Sequence, residues 1–246
     1  MADGEESAIR SSALEVKTLN TGSRSLYSWK ISHRRAAPGP HVLLLHGATC
    51  GSKIFTPLAR SLAAAGLHVV GMDFLGCGRS TGSGAEMSLQ GRSSQAASVI
   101  DQWYEPDAAI NICAFSMGGH TAVRLIGKLG ARLKSLVLLA PACYAAEAED
   151  VPFGSDFSTI LRRQDSWLSS KAFIDASTFH GTAAVIVGEN DQVIPRGVTV
   201  NLVSSFIRNS RAVHFNMLPD VGHNVLTPLC GDPHRIAGIT RILSIT

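Results

Sequence analysis

The chain has 246 residues, 45% of them hydrophobic and 17% charged, with a formal net charge of +3. This supplies apolar side chain for a substantial core and too few charges for a disordered polypeptide, while the small, scattered positive excess excludes nucleic acid as the expected partner. No apolar run nears the ~18 residues of a membrane span, the acidic, polar start at Met1–Ser7 is unlike a secretory signal, and five widely spaced cysteines exclude a disulfide framework, so the expected setting is the cytoplasm.

Residues 1–12 read as a flexible tail, and 13–246 as one α/β domain. Leu14–Leu19 and Ser25–Ile31 are predicted strands around a turn at Thr21-Gly22. His41–Leu45 is a short continuous apolar run, as a strand buried on both faces requires. A helix is expected from Pro57, with Thr56 as its cap, stopping at Gly66. Leu67–Met72 is the next strand, and Ser88–Tyr104 the next helix. Ala109–Ala114 is a strand, followed by a helix over Met117–Leu129 that Gly130 ends.

Leu136–Ala140 and Ala183–Val187 are further buried strands. Pro141–Thr182 between them is far longer than the ~2–6 residues of an ordinary connection. It carries predicted short helices near Phe157–Arg163 and Ser166–Ile174 and several aromatic residues, and is expected to form a lid over about residues 142–181. Pro195–Ile207 is a predicted helix, Ala212–Met217 the last strand, and Asp232 and Pro233 open a final helix. Strands alternating with helices give a mostly parallel twisted sheet of about eight strands, helices on both faces.

The most informative stretch is Cys113-Ala114-Phe115-Ser116-Met117-Gly118-Gly119, where an apolar strand stops at a serine flanked by small residues and a helix follows. A serine on such a sharp turn presents its hydroxyl outward, and only small neighbours two before and two after tolerate the crowding. A hydroxyl needs a base to take its proton and a carboxylate to orient that base. Asp191 follows the strand Ala183–Val187, and His223 follows the last strand, so chain order is Ser116, Asp191, His223. In a parallel sheet, loops past the carboxyl ends of strands share one rim. Oxyanion donors are expected from the amides of Met117 and Ala48, the latter in His46-Gly47-Ala48-Thr49. His46 is expected to brace that loop, and His120 to pack or face solvent. Cys113 reads as a core residue; Cys50 and Cys77 lie in loops near the site and are expected to pack rather than react. The pairs Arg34-Arg35 and Arg162-Arg163 read as solvated surface. No histidine spacing matches a metal site, so neither metal nor organic cofactor is expected.

These segments, with Asp73-Phe74-Leu75-Gly76-Cys77-Gly78-Arg79-Ser80 and Gly188-Glu189-Asn190-Asp191, make the chain resemble the α/β-hydrolase superfamily over nearly its whole length. It looks most like small serine esterases, monoacylglycerol-lipase-like proteins and thioesterases with a modest cap. The resemblance implies Ser116 as nucleophile, His223 as base and Asp191 as its orienter. The expected reaction is hydrolysis of a small-molecule carboxylic ester or thioester through an acyl-serine. Alternatives on the same scaffold are an acyltransferase, a lyase or cofactor-free oxygenase, and a non-catalytic ligand-binding protein. Phe115, Tyr144 and Trp167 are the expected substrate contacts. Acyl identity and oligomeric state are not legible from the sequence.

Overall fold

The continuous apolar runs become the centre of the sheet. The computed structural model describes residues 12–33, 41–48 and 51–246; the expected tail up to Ser11, the pair Arg34-Arg35, Thr49 and Cys50 fall outside them. The strands are β1 (Ser12–Thr21), β2 (Arg24–His33), β3 (His41–Leu45), β4 (His68–Met72), β5 (Ile110–Phe115), β6 (Leu133–Leu139), β7 (Thr182–Gly188) and β8 (Ala212–Leu218). They lie in the order β1-β2-β4-β3-β5-β6-β7-β8, with β1 and β2 antiparallel and β4 through β8 parallel. This is the α/β-hydrolase fold.

The helices are α1 (Thr56–Ala64), α2 (Leu89–Trp103), α3 (Met117–Arg124), α4 (Ile126–Leu129), α5 (Ser155–Arg162), α6 (Lys171–Ser177), α7 (Arg196–Ile207), α8 (Leu226–Cys230) and α9 (Pro233–Leu243). Alternate strand residues point to opposite faces, so each buried strand feeds two cores. Leu43, Leu45, Leu136 and Leu138 pack with α2, α3, α6 and α7. Val42, Leu44, Val137 and Leu139 pack with α1, α8 and α9. No helix among the described residues is long and apolar enough to cross a membrane.

Several boundaries differ from expectation, each for a local reason. Thr56 does not cap α1: a 3-10 turn over Ser52–Phe55 leads straight into the helix, and the Thr56 hydroxyl donates back to the Lys53 carbonyl (2.8 Å). The expected Met117–Leu129 helix breaks at Leu125 into α3 and α4, and Gly130, at φ +52°, ends it. In the insertion, Ser166–Ser169 is a 3-10 turn and α6 starts only at Lys171, with the Ser170 hydroxyl as its cap. The short α8 was hidden by its internal Pro228.

The insertion has two parts. α6 buries Ala172 and Ala176 in the core beneath the sheet's helical layer, as the crossover between parallel strands β6 and β7 must. The excursion proper is therefore Ala142–Ser170. Its α5 turns Phe157 and Ile160 onto Leu89 and Met117. A buried charge cluster fastens it. Glu149 is 3% exposed and meets Arg124 Nε at 3.0 Å and His120 Nε2 at 3.3 Å, and Arg124 also pairs with Asp175 of α6. Burial pushes the Glu149 carboxyl up, but the His120 hydrogen bond and the His120, Arg124 and Lys171 charges outweigh it and hold it below its usual range. His120, expected to pack or face solvent, is fully buried in this cluster.

Candidate active site

Ser116 sits between β5 and α3 at φ 54°, ψ −120°, a conformation that a non-glycine residue keeps only when its surroundings impose it. Three backbone bonds impose it. Its N–H donates to the Leu139 carbonyl (2.9 Å), and its carbonyl accepts from the Gly119 (2.8 Å) and Ala142 (3.1 Å) amides. The small residues on either side are required by space. A Cβ at Gly118 would collide with the Leu45 carbonyl oxygen, and one at Gly119 would press on Pro141. Ala114, fully buried and in register with Leu45 and Leu138, has room for its single methyl.

Asp191 and His223 come from the loops after β7 and β8, which lie side by side. Gly188 allows this, since a Cβ there would strike the backbone of Val221 and Gly222. The Asn190 amide donates to the Val221 carbonyl (2.9 Å), locking one loop to the other. Asp191 Oδ1 accepts the amides of Val193 (2.8 Å) and Ile194 (3.0 Å), which leaves Oδ2 for His223 Nδ1 at 2.9 Å. On its other side, His223 Nε2 lies 3.0 Å from Ser116 Oγ. A carboxylate only accepts, so Nδ1 carries the proton and Nε2 presents its lone pair to the hydroxyl. The Phe115 ring stands 5.2 Å from the imidazole, centroid to centroid. The structure thus brings together all three residues singled out for nucleophile, base and orienter.

The loop after β3 is held by groups from two other elements. His46 is fully buried; Nδ1 donates to the Gly47 carbonyl (2.8 Å) and Nε2 accepts the Phe74 amide (3.1 Å). Burial and the Arg92 charge lower its pKa to about 4, against the opposing pull of the Gly47 carbonyl and Asp73, so it is a neutral brace. Arg92, 1% exposed on α2, lies 3.6 Å from the Phe74 ring centroid and donates to the His46 carbonyl and to that of Gly47 (3.2 Å). In a trans peptide C=O and N–H point opposite ways. Drawing the Gly47 carbonyl toward Arg92 therefore turns the Ala48 N–H away from it. The Met117 amide lies in the first turn of α3, where helical N–H groups have no partner within the helix.

A cavity of about 290 Å³ opens beside Ala48. Phe74, Leu75, Met87 and Phe153 give it apolar walls, and Arg92 and Cys77 also border it; the Cys77 thiol reaches the Ala48 carbonyl at 3.6 Å. Of these residues Cys77 was placed near the site from the sequence; Leu75, Met87 and Arg92 were not singled out as walls, because loops far apart in the chain assemble them. Of the expected substrate contacts, Phe115 is beside the imidazole. Tyr144 packs edge-on against His120, and Trp167 lies against Gly197 and Phe173 rather than on this cavity. Cys113 and Cys143 are buried, which raises their thiol pKa values.

Residues 36–217, roughly three quarters of the chain, match the model of the hydrolase family described as serine aminopeptidase, S33. The chain belongs to this family. Within the wider α/β-hydrolase superfamily, this S33-family chain is 28% identical over 202 residues to an uncharacterized protein of Mycobacterium tuberculosis, covering 81% of this chain and 68% of that one. The thioesterase domain from the curacin biosynthetic pathway shares the fold at a TM-score of 0.68 and 18% identity, over 94% of this chain and 99% of its own. The monoacylglycerol lipase of Paleococcus ferrophilus does so at 0.68 and 18%, over 89% and 98%.

Proposed function

We propose that this S33-family hydrolase cleaves a small carboxylic ester or thioester through an acyl-serine intermediate, with Ser116 as nucleophile, His223 as general base and Asp191 as its orienter. The observation that carries the reading is the hydrogen-bond chain Oγ–Nε2 (3.0 Å) and Nδ1–Oδ2 (2.9 Å) at a strained serine. In the first half-reaction, Nε2 takes the Ser116 proton as Oγ attacks the carbonyl, then returns it to the leaving alcohol or thiol. In the second, the same nitrogen takes a proton from water as it attacks the acyl carbon, then returns it to Oγ as the bond from the acyl carbon to Oγ breaks and the acid leaves. The Ala48 and Met117 amides bind the oxyanion in both tetrahedral states, where losing one such donor typically costs about 10²–10³ in turnover.

The cavity beside Ala48 receives a short or medium apolar acyl group, and Ala142–Ser170 serves as its lid. That the thioesterase domain and the monoacylglycerol lipase share the fold supports an acyl carbonyl as the target. The test is labelling by a fluorophosphonate, followed by a series of p-nitrophenyl esters and acyl thioesters of rising chain length. Label is expected on the native protein and not on Ser116→Ala, and His223→Ala should lower kcat by up to about 10⁶. Label retained by Ser116→Ala would refute the assignment, and stable acyl-enzyme without turnover in water would transfer it to an acyltransferase.

A further inference from the structure

A second, larger cavity of about 640 Å³ lies between α1 and the β1–β2 hairpin, away from Ser116, Asp191 and His223. One wall is apolar and aromatic. Tyr27, Trp29 and Ile31 of β2 share a sheet face, and the register Leu14↔Ile31 adds Leu14, which is 65% exposed. α1 covers this face only in part, with buried Ala59 at the cavity's edge.

The other wall is cationic. Lys53 comes from the turn before α1, Arg60 from α1, and Arg79 from the loop after β4. Neither Lys53 nor Arg60 forms an ion pair among the described residues. Arg79 donates to the Tyr27 hydroxyl (2.8 Å) and lies 5.0 Å from that ring's centroid, and its guanidinium has no carboxylate partner among the described residues. The single acid in the lining is Asp73, which is buried, with Oδ1 taken by the Ser52 amide (2.6 Å) and Oδ2 by the Arg79 amide (2.8 Å). Lys53 and Arg60 thus border the same ligand-sized space as the apolar wall, with Arg79 stacked on Tyr27 at its side.

We propose that this cavity is a second binding site, for an amphiphilic anion of the fatty-acid type. The tail lies against Trp29, Ile31 and Leu14, and the carboxylate between Lys53 and Arg60. A neutral lipid would gain nothing from Lys53 and Arg60, and a bare inorganic anion nothing from the apolar wall. Only a molecule with both parts satisfies both walls.

The assignment does not depend on the chemistry at Ser116, and its test separates the two. Sodium decanoate, below its micelle concentration, is titrated calorimetrically into the whole protein and into Ser116→Ala. Saturable binding of equal Kd at this cavity is expected in both, told apart from any product-like binding beside Ala48 by its loss with the cations. Lys53→Ala with Arg60→Ala, both exposed positions, should raise Kd at least tenfold. Leu14→Glu, also exposed, should do the same by placing a carboxylate against the apolar wall. Decyl maltoside, with the same tail and no charge, should not bind there. An unchanged Kd in the double variant, equal binding of decyl maltoside, or binding to phosphatidylglycerol vesicles without binding of monomeric decanoate would each overturn the proposal.

Discussion

His46 is an imidazole with both nitrogens engaged, and its cost appears only in acid. Its folded pKa of about 4 lies below the unfolded value of ~6.5, so the unfolded chain binds the proton first as pH falls. The stability gained by keeping this ring neutral is whole above about pH 6.5 and is lost progressively down to about pH 4, by about 3 kcal/mol across the interval. His46→Gln should remove that share of the slope. Urea midpoints at pH 7.5 and 4.5 check it: the native protein should lose about 2.5 kcal/mol more than the variant, and equal losses would contradict the argument. The bracing role was legible, because a histidine directly after a buried strand, next to glycine, has backbone groups within reach. Arg92 was not legible. Nothing in a helix of moderate amphipathicity marks one arginine as the residue that turns inward to hold two carbonyls.

Among the elements, the insertion is held by charge as well as by apolar packing. Glu149 joins the excursion to α3, the helix that Ser116 opens, and its own carbonyl accepts the Gln90 amide of α2 (2.9 Å). Breaking a buried ion pair by removing one partner costs about 3–5 kcal/mol; since Arg124 keeps Asp175, the lower end applies. Glu149→Ala should therefore lose about 3 kcal/mol in urea denaturation and become more sensitive to limited proteolysis within 144–165. Unaltered cleavage there would mean that apolar contacts alone hold the excursion. The sequence showed that an excursion exists, through sheer length, but not how it is fastened. Its partners lie on α3 and α6, and each ionic residue alone looks like surface. Helix starts were legible in the same uneven way: Asp232 does cap α9, accepting the His234 (2.9 Å) and Arg235 (3.3 Å) amides, while Thr56 does not cap α1 because the preceding turn is already helical.

Over the whole molecule, the parallel register of β3, β5, β7 and β8 delivers Ala48, Ser116, Asp191 and His223 to one rim, which is why the right residue types, each directly after a predicted strand, anticipated their meeting. The cavity walls followed no such rule, since loops and the insertion supply them. The sheet leaves β8 as an edge, and there Phe215 and Met217 remain 48% and 42% exposed. β8 contains no lysine, proline or bulge, the usual devices that blunt an edge. Phe215→Lys should leave thermal stability within about 0.5 kcal/mol and delay light scattering during slow heating. Scattering that sets in at the native temperature would clear this edge of blame. The insertion is attached to the same scaffold at two independent points: at Ala140, where the amide is bound by the Ile186 carbonyl (2.7 Å), and along α6, sunk in the core. The stretch between them is nonetheless tied to the site's own scaffold, through the Ala142 amide on the Ser116 carbonyl and the Glu149 carboxylate on α3. A transplanted segment of different length and composition would therefore have to supply both anchors again, or the turn that carries the hydroxyl would loosen.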